Sequence, residues 1–128
     1  MDPIGVMLYG FDEDSADKIV KFIGKTCSRE VQLVCADRRE NDKVGDILDD
    51  DAYRGFQANS DLKVVMFLGF EGPMIHASMD NFPSSEGEKR PIFCTPTEEN
   101  IGWKLSELLD DLIQEREYFK MKGVKEDQ

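Results

Sequence analysis

The 128-residue chain carries 27 acidic residues against 16 basic ones, a formal net charge of -11, with 40% hydrophobic and 34% charged residues. That length suits one domain, since two separate cores of half the size would each be marginal. The acidic balance disfavours nucleic acids and anionic membranes, which are bound through Lys and Arg, and is compatible with a basic protein partner.

Residues 4–9 form a short, continuously apolar run ending in Gly10-Phe11, the pattern of a strand buried on both faces. Asp12 is a good N-cap for a helix whose stripe is Ala16, Ile19, Val20 and Ile23, with Gly24 expected at the stop. A second strand is predicted over Val31–Cys35 and a helix near Asp42–Phe56. The apolar run then returns at 62–68, ending in Gly69-Phe70, and Pro73 suits the first turn of a helix bearing Ile75, Met79 and Phe82. Residues 84–89 read as a loop and Pro91–Cys94 as a fourth strand. Thr95-Pro96-Thr97-Glu98 resembles a capping box, with Asn100 as a competing cap. The stripe Ile101, Leu105, Leu108, Leu109, Leu112 and Ile113 predicts a last helix reaching about Lys120, and residues 123–128 read as a tail.

Four blocks of this pattern repeat in the same order. Val6–Phe11 reappears as Val65–Phe70, a shift of 59; at that shift Leu33-Val34-Cys35 falls on Ile92-Phe93-Cys94 and Glu40-Asn41 on Glu99-Asn100, while Asp46–Asp50 matches Glu107–Asp111 after a two-residue slip. The expectation is an α/β fold: two tandem βαβα repeats, about 4–58 and 62–120 of one domain spanning 1–122, forming a mostly parallel four-stranded sheet of order 2-1-3-4 flanked by helices. A ferredoxin-like α+β sheet is the alternative.

Open α/β sheets bind ligands beyond the carboxyl ends of their strands at a switch point. The order 2-1-3-4 therefore predicts a crevice where Tyr9, Gly10 and Phe11 meet Gly69 and Phe70, with Thr95 as a further ligand-binding candidate and Asp12, Glu71 and Gly72 nearby. The ordinary alternative is a pair of tight turns, each followed by a core aromatic. No phosphate-binding glycine motif is present, and acidic residues follow both turns, which disfavours nucleotides. Cys27, Cys35 and Cys94 form no C-x-x-C pair, and His76 has no neighbours at metal-ligand spacing, so no metal and no cofactor is expected. His76 also lacks partners for a catalytic triad, which favours a non-catalytic module over an enzyme. Trp103 falls outside the stripe of the last helix and is a candidate partner anchor, with Tyr118 and Phe119 extending its patch.

The start Met1-Asp2-Pro3-Ile4-Gly5 has no basic or apolar leader character, and the run Val64–Phe70 is too short to span a bilayer. The expected setting is the cytoplasm or, after removal of a targeting segment, the stroma of an organelle such as the plastid.

The strand ending in Gly69-Phe70, the run Phe93-Cys94-Thr95-Pro96-Thr97 with Asn100 and Trp103, and Leu105–Leu109 with Glu115-Arg116-Glu117 resemble domain of unknown function 3783 over about Lys63 to Glu117. The resemblance supports the fold and implies no activity or catalytic residues. The function expected from the residues is protein interaction or assembly with an unidentified protein partner. The alternative is a small-molecule binder or enzyme at the switch point.

Overall fold

The computed structural model describes residues 4–59, 61–83 and 90–121; the loop expected at 84–89 and the tail at 123–128 lie outside them. The elements are β1 (Ile4–Tyr9), α1 (Glu13–Cys27), β2 (Val31–Cys35), α2 (Val44–Leu48), β3 (Val64–Leu68), α3 (Gly72–Asp80), β4 (Ile92–Cys94), a 3-10 turn (Asn100–Gly102) and α4 (Leu105–Met121). The strands form one sheet in the order β2-β1-β3-β4. Both outer pairs, β1 with β2 and β3 with β4, are parallel, so the sheet is the mostly parallel α/β one expected and not the ferredoxin-like alternative. The central pair, β1 with β3, is antiparallel.

Side-chain alternation divides the interior into two cores. Val6, Leu8, Val65 and Phe67 face α1 and α3, meeting Ala16, Ile19 and Ile23 with Ile75 and Met79 packed against them. Met7, Val64 and Met66 face α2 and α4, meeting Ile47, Leu105, Leu108 and Leu112. Because β1 and β3 are covered on both faces, they read as unbroken apolar runs. Among the described residues, no helix is long and apolar enough to cross a membrane.

The central antiparallel pair explains the largest departure from the expected elements. The helix predicted over Asp42–Phe56 is only Val44–Leu48. Strand β3 starts at the end of the sheet where β2 finishes, so a four-turn helix between them would carry the chain to the wrong end. Instead the chain turns after Leu48, and Phe56 reaches the α1/α3 core. The run Asp49-Asp50-Asp51 is therefore an exposed turn, where Asp50 pairs with Arg39 at 3.2 Å.

Helix α1 continues through Gly24 to Cys27, where Ser28 takes the left-handed cap at φ 54. Its start is as expected: the Asp12 carboxylate accepts the Ser15 N–H at 2.8 Å, which lowers the Asp12 pKa.

The register of the central pair is symmetric about Met7↔Met66, two positions that the sequence shift of 59 superposes. The outer strands follow a different offset. Val6 pairs with Leu33 and Val65 with Phe93, so Leu33 corresponds to Phe93, a shift of 60 rather than 59. A one-residue slip reverses faces. Cys94 accordingly packs on the α4 side, whereas Cys35, opposite Leu8, is turned to the α1 side.

Candidate functional site

The crevice expected between the two Gly-Phe turns does not form. In the antiparallel register Tyr9 opposes Val64 and Gly5 opposes Leu68, so Gly10 and Gly69 lie at opposite ends of the sheet, about 20 Å apart at 3.4 Å per residue. Glu71 and Gly72 lie with Gly69, away from Asp12. Both glycines have positive φ, 89 at Gly10 and 76 at Gly69, and each makes a turn. Phe11 is buried in the α1/α3 core, and the Phe70 ring packs on Phe67 at 4.8 Å between centroids. Each aromatic is part of the packing.

What the Gly10 end does build is a polar cavity of about 250 Å³ lined by Tyr9, Asp37, Arg38, Glu40, Gln57 and Asn59. Asp37, only 2% exposed, accepts the Gly10 N–H at 2.7 Å and faces the Cys35 thiol at 3.6 Å. Burial raises its pKa, and the Gly10 hydrogen bond opposes that rise. The Tyr53 hydroxyl donates to the Asp37 carbonyl at 2.9 Å, and the Asn59 N–H donates to the Gly10 carbonyl at 2.9 Å. These bonds fasten residues 49–59 across the ends of β1 and β2. Tyr9 donates to Glu40 at 2.9 Å, and burial followed by that hydrogen bond pushes its pKa up to about 12. Arg38 is exposed at the cavity, on a left-handed backbone of φ 67. The residue that sequence reasoning missed is Asp37. Its only signal was an acid directly after a strand, in Cys35-Ala36-Asp37.

The second feature lies at the other edge of the sheet. A groove of about 500 Å³ runs between the edge strand β4 and helix α4, with Phe93, Cys94 and Thr95 on the strand side and Trp103, Leu108 and Leu112 opposite. Two predicted site residues, Thr95 and Trp103, meet here. Trp103 is not on the helix, as its spacing suggested. It sits in extended backbone (φ -83, ψ 155) between the 3-10 turn and α4.

Local and long-range bonds hold it there. Thr97 and Asn100 exchange hydrogen bonds, Thr97 N–H to Asn100 Oδ1 at 2.8 Å and Asn100 N–H to Thr97 Oγ1 at 2.9 Å. The Asn100 amide also donates to the Thr95 carbonyl at 3.2 Å. The predicted capping residues thus close the 3-10 turn instead of starting α4, and the start of that helix is capped by Glu107, which accepts the Lys104 N–H at 3.0 Å. The Val44 N–H donates to the Trp103 carbonyl at 2.9 Å and the Leu105 N–H to the Asp42 carbonyl at 2.8 Å, tying this corner to α2. Ile101, placed in the helical stripe by its spacing, is outside α4 and 40% exposed.

Asp111 and Glu115 follow Leu108 and Leu112 at helical spacing and line the same groove. Burial first, then the nearby Glu115 carboxylate, pushes the Cys94 thiol up to about 12, and burial pushes Cys35 up to about 11, so both remain protonated at neutral pH. Tyr118 is 54% exposed farther along α4, while the side chain of Phe119 lies outside the described residues. His76 is exposed on α3. Among the described residues, no group of three His, Cys, Asp or Glu side chains is placed to hold a metal ion.

No curated protein and no solved structure matches the chain. Residues 63–119, which hold β3, α3, β4 and most of α4 and with them the whole groove, match the model of the family described as Domain of unknown function (DUF3783).

Proposed function

We propose that the chain is a non-catalytic protein-interaction module whose contact surface is the groove between β4 and α4. The observation that carries this reading is an open channel of about 500 Å³ in which a half-buried tryptophan and apolar helix positions flank an edge strand. Interfaces draw most of their energy from aromatic anchors in partly preformed pockets, and Trp103 has that position. The Cys94 thiol in the groove is held protonated and offers packing surface in place of a nucleophile. Three unpaired cysteines fit a reducing compartment, the cytoplasm or an organelle stroma.

The test is photo-crosslinking in the native source. A photoactivatable residue at Thr95, exposed on the strand side of the groove, should capture a protein that the same residue at exposed Lys21 on α1 does not, and Trp103→Ala should weaken that capture about tenfold, the effect of losing one anchor. Equal capture from both positions, or no effect of Trp103→Ala, overturns the reading.

The polar cavity at the Gly10 end favours a second reading, a binder of small polar molecules, because it lies beyond the carboxyl ends of a parallel strand pair. Its test is a thermal-shift panel in which any stabilising compound loses its effect in Arg38→Ala.

A further inference from the structure

Strand β4 lies at the margin of the sheet and is bonded to β3 on one side. The Ile92 N–H donates inward to the Lys63 carbonyl at 2.8 Å. In a parallel ladder the bonded residues alternate, so Ile92 and Cys94 spend their backbone groups on β3 and the N–H and C=O of Phe93 turn to the outer edge. An additional strand would lie about 4.8 Å farther out, within the groove that α4 borders. One row of its side chains would meet Trp103, Leu108 and Leu112.

The charges around the groove select among occupants. Among the described residues, Asp111 and Glu115 take part in no ion pair. The two groove arginines are engaged within the chain: Arg90 donates to the Met79 carbonyl at 3.3 Å and lies over the Phe93 ring at 5.2 Å, and Arg116 has partners of its own. The chain as a whole carries a net charge of -11. A second copy would bring the same acidic helix face against this one, whereas basic side chains would meet complementary charge.

Resting on the reading of the groove as a protein-interaction site, we infer that the partner binds as an extended segment that adds a strand to the outer edge of β4, with basic side chains directed at Asp111 and Glu115. Main-chain bonds to Phe93 would supply affinity, and the apolar and acidic positions of α4 would supply selection.

The experiment uses the full chain, isotope-labelled, with a twelve-residue peptide of three Lys-Thr-Val-Thr repeats and blocked termini as probe, so that lysine and valine share one face of the added strand. On saturation, exchange of the Phe93 amide should slow roughly tenfold or more, while the amides of Ile92 and Cys94, already bonded to β3, change little. N-methylation of alternate peptide residues should weaken binding by about tenfold through the lost main-chain bonds. The same peptide with glutamate in place of lysine should not bind.

Absence of binding by the lysine peptide overturns the inference. So does binding that leaves the Phe93 amide unchanged and tolerates N-methylation. If Trp103→Ala still weakens such binding, the groove reading survives and only strand addition fails; failure of the crosslinking test removes the groove reading itself. A Phe93 amide already protected in the isolated chain would assign the edge to the chain's own residues, and protection that grows with protein concentration would assign it to a second copy. Either result overturns the inference.

Discussion

Replacing Gly10 by alanine tests how the Gly10 end of the sheet is held. The backbone there has φ 89, and a Cβ would stand 2.2 Å from the Leu62 carbonyl oxygen, a main-chain atom that cannot rotate away. A left-handed alanine costs about 1–2 kcal/mol on its own. Relieving the clash means separating the β1 end from the start of β3, which strains the Gly10 N–H to Asp37 bond and the Asn59 N–H to Gly10 carbonyl bond. Hydrogen bonds to charged groups contribute about 1.5–3 kcal/mol and neutral ones about 1 kcal/mol. Partial loss of both brings the expected cost of Gly10→Ala to roughly 3–5 kcal/mol, a large share of the ~5–15 kcal/mol typical of a domain. Urea unfolding followed by circular dichroism, at unchanged m-value, measures it. Gly72→Ala is the control: nothing lies within 4 Å of its Cβ position, at the first residue of α3, so the same chemical change should be neutral or stabilise by up to about 1 kcal/mol. A loss below about 1 kcal/mol at Gly10 would refute the reasoning.

Asp37 predicts a pH effect whose sign follows from its raised pKa. The unfolded chain ionises this group first, so stability is fully present below the ordinary carboxylate pKa and declines as pH rises through the folded pKa. Asp37→Asn keeps an oxygen for the Gly10 N–H and removes the charge, so its stability relative to wild type should improve between about pH 4 and pH 7 in paired urea titrations; a relative decline contradicts the burial argument. For the thiols, Cys27 should react with an aromatic disulfide reagent in the folded protein at least about tenfold faster than Cys35 or Cys94, whose thiolates are suppressed by burial. All three should react alike in denaturant.

The strands and the order 2-1-3-4 were legible because their signals are local. Doubly buried strands read as apolar runs, and Asp12 and Pro73 mark helix starts by their own chemistry. What escaped was decided by distant parts of the chain. The antiparallel direction of β1 against β3 leaves no trace in either strand, yet it shortens α2 and parts the two Gly-Phe turns. Similarly, residues 97–104 have helical spacing and capping chemistry, but bonds from Val44 and to Asp42 pull Trp103 and Lys104 out of the helix. Those contacts put Trp103 into the groove. Asp37 was overlooked because its burial depends on residues 53–59 folding over it.

The division of the chain has a consequence for folding. The family match covers one half of the sheet, and that half holds the whole groove but leaves the edge of β3 that pairs with β1 without a partner. Val65, Met66 and Phe67 are buried beside β1, and α4 is anchored by Ser106 N–H to Glu40 at 2.9 Å and Leu105 N–H to Asp42. Without residues 1–62 the remainder is a two-stranded sheet with a long apolar edge, in a piece of 66 residues, a size that is marginal even with every partner present. A fragment of residues 63–128 is therefore expected to show no cooperative urea transition alone and to regain one on mixing with residues 1–62. The symmetric register about Met7↔Met66 gives β3 one further partner, β3 of a second fragment paired about Met66, so concentration-dependent folding with a dimer mass fits the same physics. A cooperative transition at monomer mass would show that the β1 pairing is dispensable, and the central antiparallel pair would then be an interface between two autonomous halves.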